Sequence, residues 1–259
     1  GSNTEISACS EPGDGTQSYA LHFDGSGDYV SPGVAVLNNV TDFTMTGWIN
    51  LNSYSDQSLF GRNNTIETGI IGQKLHIWTY SAIGLIWDFD ESELPLNTWH
   101  HVAMVGTQYS MKLYINGELK QSGGGNTGGY YGSQSGSNNQ YDFTIGGYVW
   151  NYPSLPRWFN GLMDEVSVWN TDLSQTDIQN IINNGLNGSE SGLLLYYNFN
   201  EGVGSTLSDV SGNGNDGTIY GDATWVELEG NSTGNQYVTS TCDAGSSSSL
   251  GSDTDISTC

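Results

Sequence analysis

The residues with the clearest chemical potential are two carboxylates that flank a glycine-containing turn. Asp24 and Asp28 stand at the ends of the string DGSGD, directly after a segment of alternating apolar residues. Carboxylate and main-chain carbonyl oxygens are the ligands that Ca²⁺ prefers, and glycines let a turn fold around the ion. Asp is also common in tight turns because its side chain caps them. The spacing predicts a calcium-binding turn, with a purely structural turn as the alternative.

A second acidic loop, residues 209–215, carries oxygen-bearing residues at alternate positions and a glycine at its sixth position. This pattern matches the first half of a calcium loop, but the twelfth position is Tyr220 where a bidentate Glu would stand. The interpretation that we favour is a surface loop rich in Asx turns.

A glycosidase would need two carboxylates facing the same bond. The nearest string is WDFDESE at 87–93, in which Asp88 and Asp90 would share a face if the segment were a strand. Pro95 follows closely and favours a solvated acidic turn.

Adjacent His100 and His101 point to opposite faces of a strand, so one metal cannot take both.

The charge balance narrows the choice of partners. Five Lys and Arg oppose 28 Asp and Glu, for a net charge of −23. Such a field repels phosphate backbones and anionic lipids, which argues against nucleic acid and membrane surfaces and favours cations. The apolar runs, such as 192–197, are too short to cross a bilayer.

The spacing of apolar residues predicts an all-β protein, a two-sheet antiparallel sandwich. Five segments alternate with period two, and Asn116-Gly117 is a type I′ hairpin signal. The strands are predicted at 19–23, 43–49, 101–105, 111–115 and 166–169. One short helix is predicted at 174–183, with Ser174 as its cap and Asp177 in the capping-box position. The Gly-rich stretch 121–140 is predicted to be a long surface loop.

The two ends of the chain repeat each other. Residues 1–9 and 251–259 are identical at six of nine positions, which is typical of a tandem array. We therefore divide the chain into a seam segment at 1–17, a sandwich domain at 18–241 and a Ser/Gly/Asp-rich linker at 242–259.

The three cysteines lie in these polar flanks, which favours an oxidising compartment. A bond between Cys242 and Cys259 is predicted, because Cys9 occupies the same place in the repeat as Cys259. The alternative bond, Cys9–Cys242, would tie together the two ends of one sandwich.

Four motifs in order resemble one known family. They are LHFDGSGDYV at 21–30, FTMTGWI at 43–49, TWHHVA at 98–103 with LYING at 113–117, and FNGLMDEVSVWN at 159–170. Together they resemble the laminin-G-like, concanavalin A-like lectin/glucanase superfamily, which includes relatives of the pentraxins. The resemblance implies a jelly roll found in secreted, adhesive or glycan-related proteins. It also implies a structural Ca²⁺ held by the side chains of Asp24, Asp28 and Asp164 and by the carbonyl of Gly27.

Aromatic residues outside these motifs are candidates for glycan binding, because flat rings stack on the apolar faces of sugars. The alternative is that they close hairpins or pack against neighbouring subunits. The candidates are Trp78, Trp87, Tyr130, Tyr131, Trp150 and Tyr152. Within the motifs, Trp48, Trp99 and Trp169 are predicted to be core residues.

The sequence thus predicts a non-catalytic, calcium-stabilised binding domain of a large, repetitive, secreted or cell-surface protein. Its expected partners are a glycan or a neighbouring surface protein, together with neighbouring repeats or protomers. Two alternatives stay open: a glycoside hydrolase or polysaccharide lyase using Asp88, Asp90 or Glu91, and a structural protomer of a fibre.

Overall fold

The computed structural model describes residues 18–38, 40–62, 65–79, 84–124, 142–147 and 157–228, and these form two antiparallel sheets of eight strands packed face to face. Sheet A runs in the order β10 (Glu118–Gly123), β9 (Met111–Ile115), β8 (Trp99–Gly106), β3 (Phe43–Leu51), β12 (Asn160–Trp169), β1 (Ser18–Asp24) and β16 (Thr224–Leu228), with β13 (Leu193–Tyr197) paired to the second half of β12. Sheet B runs in the order β14 (Thr206–Leu207), β15 (Gly217–Tyr220), β2 (Tyr29–Ser31), β11 (Phe143–Ile145), β4 (Gln57–Arg62), β5 (Ile66–Ile71), β6 (Lys74–Thr79) and β7 (Leu85–Asp88). The predicted jelly-roll sandwich is confirmed.

Alternation along the strands explains the core. In β8, for example, Val102 and Met104 face sheet B in the main apolar cluster, whereas Ala103 and Val105 face outward. The turn between β9 and β10 is the predicted one, since Asn116 and Gly117 both have positive φ, at 49° and 76°.

The helix α1 (Gln175–Asn184) begins with the predicted capping box. The backbone N–H of Asp177 donates to the Ser174 hydroxyl, and the Asp177 carboxylate accepts from the Ser174 N–H. Ile178 is buried on the outer face of sheet A against Ala103, Val105 and Tyr114. The outer face of sheet B carries no helix among the described residues, so the two faces of the sandwich differ.

Three expectations about the chain need correction or fall outside the described residues. The predicted loop at 121–140 begins later than expected, because β10 continues to Gly123; residues 125–140 lie outside the described part. Trp48 and Trp169 are buried as predicted, but Trp99 is only half-buried. The terminal segments with Cys9, Cys242 and Cys259 also lie outside the described residues.

Candidate functional site

Three carboxylates meet at one end of the sandwich. Asp24 ends β1, Asp28 precedes β2, and Asp222 follows β15. One oxygen atom from each carboxylate lies within 4.8 Å of the other two. Asp28 holds the cluster together, because its Oδ2 accepts from the Asp24 N–H at 3.1 Å and its Oδ1 from the Asp222 N–H at 2.8 Å.

The side chain of Asp28 is fully buried, and this burial is the main cause that raises the pKa of its carboxyl. The N–H groups of Asp24 and Asp222 lower that pKa, whereas the negative charges of the same two residues raise it. The cluster therefore contains mutual repulsion that a divalent cation would relieve.

Gly221 shapes this cluster. Its φ of +88° favours glycine, and a Cβ atom at this position would lie 2.2 Å from the Oδ1 of Asp28 and 3.0 Å from the carbonyl oxygen of Gly27. The carbonyl of Gly27 and the carboxylate of Asp28 thus both lie against Gly221, where only glycine leaves room for them. Hard oxygen donors of this kind fit the chemistry of Ca²⁺.

The predicted ligand Asp164 does not belong to this cluster, and that assignment is wrong. Asp24 pairs with Asn160 in the β1–β12 ladder, which places Asp164 four residues further along β12, about 13 Å away. Its Oδ1 accepts from the N–H of Glu165 at 2.7 Å. Asp222, which sequence reasoning missed, takes the place of the third carboxylate.

The aromatic residues predicted to bind glycans differ in exposure where the structure describes them. Trp87 is only 6% exposed and packs in the core, with its ring 5.3 Å from that of Phe89, so its prediction as a glycan-stacking residue is wrong. Trp78 is 41% exposed, the largest exposed fraction of any described tryptophan. Tyr130, Tyr131, Trp150 and Tyr152 lie outside the described residues.

Trp78 lies on the outer face of sheet B, on strand β6. Its partner in the neighbouring strand β5 is Glu67. Two residues earlier in β6, His76 pairs with Gly69 of β5 on one side and with Ile86 of β7 on the other. Ile86 is 49% exposed. This Trp78 surface, made of Trp78, His76, Ile86 and Glu67, combines a flat ring with polar side chains.

A second aromatic group was not predicted as a unit. Tyr29 and Tyr220 stack across the β2–β15 ladder with ring centroids 4.5 Å apart and planes 8° from parallel. Trp158 stacks near Tyr29, with a centroid distance of 6.1 Å and an angle of 23°. We call Trp158, Tyr29 and Tyr220 the aromatic row. Asp28 adjoins it on one strand, and Gly221 with Asp222 on the other.

The carboxylates proposed for catalysis do not face one bond. Asp88 ends β7 and forms an ion pair with Lys74 at 2.6 Å, whereas Asp90 lies in the following turn. The backbone and side chain of Ser92 donate to Asp90 and lower the pKa of its carboxyl, opposite to what a general acid needs. The prediction of an acidic turn beyond the strand agrees with this geometry.

The loop at 209–216 uses its polar groups internally. The Asp209 carboxylate accepts from the N–H groups of Tyr196, Ser211 and Asn215 and from the Ser211 hydroxyl. Four hydrogen-bond donors thus satisfy the Asp209 carboxylate, as the Asx-turn interpretation predicts.

His101 and Glu165, both on sheet A, have strongly shifted pKa values. His101 is 1% exposed, neither ring nitrogen has a hydrogen-bond partner, and burial lowers its pKa to about 3. Glu165 lies at a bulge in β12 with a φ of +52°, and burial raises the pKa of its carboxyl to about 7 although the Tyr196 hydroxyl donates to it. Neither environment was evident from the sequence.

Comparison with known proteins identifies the family. The profile of the laminin G type described as concanavalin A-like lectin/glucanases superfamily matches residues 24–179, more than half of the chain. The chain belongs to this superfamily. No curated protein matches it significantly in sequence.

Solved structures of the superfamily share the fold. A candidate carbohydrate-binding protein from Bacteroides ovatus superposes with a TM-score of 0.65 at 23% identity, covering 83% of this chain, which spans 61% of that protein. A heptameric SAP-like pentraxin from Limulus polyphemus gives a TM-score of 0.50 at 13% identity, covering 65% of this chain and 83% of the other. At these identities the likeness establishes the fold alone.

Among the described residues of this superfamily member, no helix is both long and apolar enough to span a membrane.

Proposed function

We propose that this domain is a non-catalytic carbohydrate-binding module, and the observation that carries the proposal is the exposure of Trp78 on the outer face of sheet B. An indole ring that is 41% exposed on a strand is a surface on which the apolar face of a sugar ring can stack. Membership of a superfamily that includes lectins supports this role.

The neighbours of Trp78 provide polar groups for sugar hydroxyls. Glu67 lies opposite Trp78 in the adjacent strand, and His76 lies two residues away on the same face. Gly69 is the partner of His76 and adds no side chain, which keeps this part of the sheet flat. A flat aromatic surface with polar flanks suits a saccharide chain better than a deep pocket does.

We further propose that Ca²⁺ stabilises the fold at the carboxylate cluster. Asp24, Asp28 and Asp222 would hold the ion with the Gly27 carbonyl. When bound, the ion supplies positive charge that offsets the repulsion among the three carboxylates. The residues themselves fix the turn after β1 to the end of β15 through the hydrogen bonds of Asp28.

A binding role is preferred to hydrolysis because of the arrangement of the acidic turn. Asp88 is paired with Lys74, and hydrogen bonds keep Asp90 ionised in a separate turn. Domains of the laminin G type are typically extracellular, and we propose that this one belongs to a repetitive, secreted or cell-surface adhesive protein. Neighbouring repeats would then be partners alongside the glycan.

The test is retardation of the protein in gels that contain soluble neutral polysaccharides, such as arabinan, xylan or mixed-linkage glucan. Trp78→Ala should weaken retardation about tenfold, as truncation of a central aromatic anchor does. Tyr109→Ala is the matched control, because Tyr109 is 73% exposed in the turn between β8 and β9. The double variant Asp88→Asn, Asp90→Asn should bind normally. Release of reducing sugar by the wild type, lost in the double variant, would contradict the proposal.

A further inference from the structure

We propose that the aromatic row is a second saccharide-binding site, specific for neutral sugars and coupled to the cation at the carboxylate cluster. This inference rests on the proposed function, since it assigns another surface of the same sheet to the same class of ligand. The group formed by Trp158, Tyr29 and Tyr220 was not predicted as a unit from the sequence.

The geometry of the row leaves a ring face available. Tyr29 is enclosed between Trp158 and Tyr220, but Tyr220 stands at the outer end of the row and is 44% exposed. At the neighbouring edge, the Ile219 N–H donates to the Ser205 carbonyl, and Gly204 precedes it. Among the described residues, and apart from its chain neighbours, no atom lies within 4 Å of the place where a Gly204 Cβ would stand.

A row of hydroxyl groups runs beside the aromatic row on the same face. Thr218 pairs with Ser31 in β2 on one side and with Thr206 in β14 on the other. Thr218 and Thr206 are exposed on adjacent strands about 4.8 Å apart, whereas Ser31 is only 7% exposed and its hydroxyl accepts from the N–H of Gly33. Rings for stacking and hydroxyls for hydrogen bonding thus lie side by side.

The negative charge around the aromatic row determines which class of sugar can bind there. Asp28 and Asp222 directly adjoin the row, and the whole chain carries a net charge of −23. Uronate or sulfate groups would be repelled here, whereas a neutral saccharide would not. The ligand that fits is therefore a neutral sugar chain.

The cation cluster and the aromatic row share the same two strands. Tyr29 follows Asp28 directly, and only Gly221 separates Tyr220 from Asp222. A cation that draws Asp28 and Asp222 together also fixes the register of Tyr29 against Tyr220. Because coupling between two bound ligands is reciprocal, a sugar on the row should strengthen cation binding by the same factor.

The row is distinct from the Trp78 surface. Strand β15 and strand β6 are five positions apart in sheet B, which corresponds to about 24 Å. The two surfaces can therefore be tested separately.

The experiment uses the full chain with Tyr220→Ala and Tyr220→Phe, each in the wild-type and the Trp78→Ala backgrounds, and Tyr109→Ala as the control. Gel retardation by the polysaccharide that binds the wild type best is measured with calcium and with chelator. Calorimetric titration with calcium alone is then repeated in the presence of that polysaccharide. Tyr220→Ala should weaken retardation about tenfold, whereas Tyr220→Phe should keep it.

The polysaccharide should also raise the calcium affinity of the wild type about fivefold or more, and this rise should vanish in Tyr220→Ala. If Tyr220→Ala behaves like Tyr109→Ala while Trp78→Ala is impaired, the second site is refuted and the proposed function stands. If the calcium affinity does not respond to the polysaccharide, the coupling is refuted. If the wild type binds none of the polysaccharides, both proposals fail.

Discussion

The Oδ1 atom of Asp28 accepts a hydrogen bond from the N–H of Asp222 at 2.8 Å, which joins two residues 194 positions apart in the chain. The same carboxylate accepts from the N–H of Asp24 through its other oxygen. One buried side chain therefore connects the turn after β1 with the end of β15, and the stability of this end of the sandwich depends on it.

Removal of calcium should lower the melting temperature. At an ion concentration one hundred times the dissociation constant, binding adds about 2.7 kcal/mol to the free energy of unfolding. For a domain of this size the loss corresponds to roughly 5–10 °C. Asp222→Asn should abolish most of the difference between calcium and chelator, whereas Asp164→Asn should retain it. Equal melting temperatures of the wild type with calcium and with chelator would refute the metal site.

Substitution of Gly221 should disrupt the cluster sterically. Gly221→Ala places a Cβ 2.2 Å from the Oδ1 of Asp28 and also strains a backbone with φ of +88°. Gly212→Ala is the matched control, because Gly212 lies outside the cluster and has a φ of +75° but no described atom within 4 Å of the added Cβ. Both variants should lose about 1–2 kcal/mol from backbone strain, and only Gly221→Ala should lose more and cease to respond to calcium. Identical melting curves for the two would show that the close approach is relieved without cost.

Replacement of two tryptophans on neighbouring strands should have opposite consequences. Trp87→Ala should reduce the free energy of unfolding by about 3–5 kcal/mol, because it opens a cavity in the core. Trp78→Ala should change it by less than about 1 kcal/mol, since the ring is 41% exposed. Urea denaturation of both variants decides the matter. A stability of Trp87→Ala close to that of the wild type would contradict the burial of Trp87.

Glu165 should make the protein less stable as the pH rises from about 4.5 to 7. Its pKa is raised in the folded state, so the folded protein binds more protons than the unfolded chain in this window. The free energy of unfolding then falls with pH by up to about 1.4 kcal/mol per unit. Glu165→Gln should remove this component.

The opposite contribution comes from His101, whose lowered pKa destabilises the folded state as the pH falls below its ordinary value of 6.5. The quantity to measure is therefore the difference between the wild type and Glu165→Gln in denaturant midpoints across the pH range. A difference that stays constant with pH would contradict the raised pKa of Glu165.

The pairing of the cysteines stays a prediction. A bond between Cys242 and Cys259 would close a short segment rich in Ser, Gly and Asp and restrict the unfolded chain by roughly 3 kcal/mol. Non-reducing peptide mapping should find these two residues in one linked peptide. A peptide that links Cys9 to Cys242 of the same chain would refute the tandem-seam interpretation.

Local features were predictable from the sequence because their causes are local. The Asn116-Gly117 turn needs positive φ at two adjacent residues, and the helix cap needs Ser174 and Asp177 three apart; both patterns stand in the sequence. The alternation of apolar residues likewise gave the strands of the sandwich.

Which residues form the carboxylate cluster depends on how strands far apart in the chain pair with each other, and the sequence alone does not show that pairing. Asp222 joins the cluster only because β15 pairs with β2, and Asp164 is excluded only because β1 pairs with β12 at Asp24 and Asn160. Trp87 was a candidate for glycan binding because it lies outside the motifs, but β7 turns its ring toward the core. The Tyr29–Tyr220 stack follows from the same unseen pairing.

The pairing of β1 with β16 has a mechanical consequence. Ser18 is paired with Leu228, so the chain enters and leaves the sandwich at the same end of a ladder of five residue pairs. Tension applied through the two flanks would load these pairs one at a time, in the unzipping geometry. A shear geometry would load all five pairs together. In a tandem array each repeat would therefore begin to unfold at the β1–β16 pair at low force. A Cys9–Cys242 bond would instead carry the force across the two flanks, so that the ladder is not loaded. Single-molecule stretching with and without reductant measures that force directly.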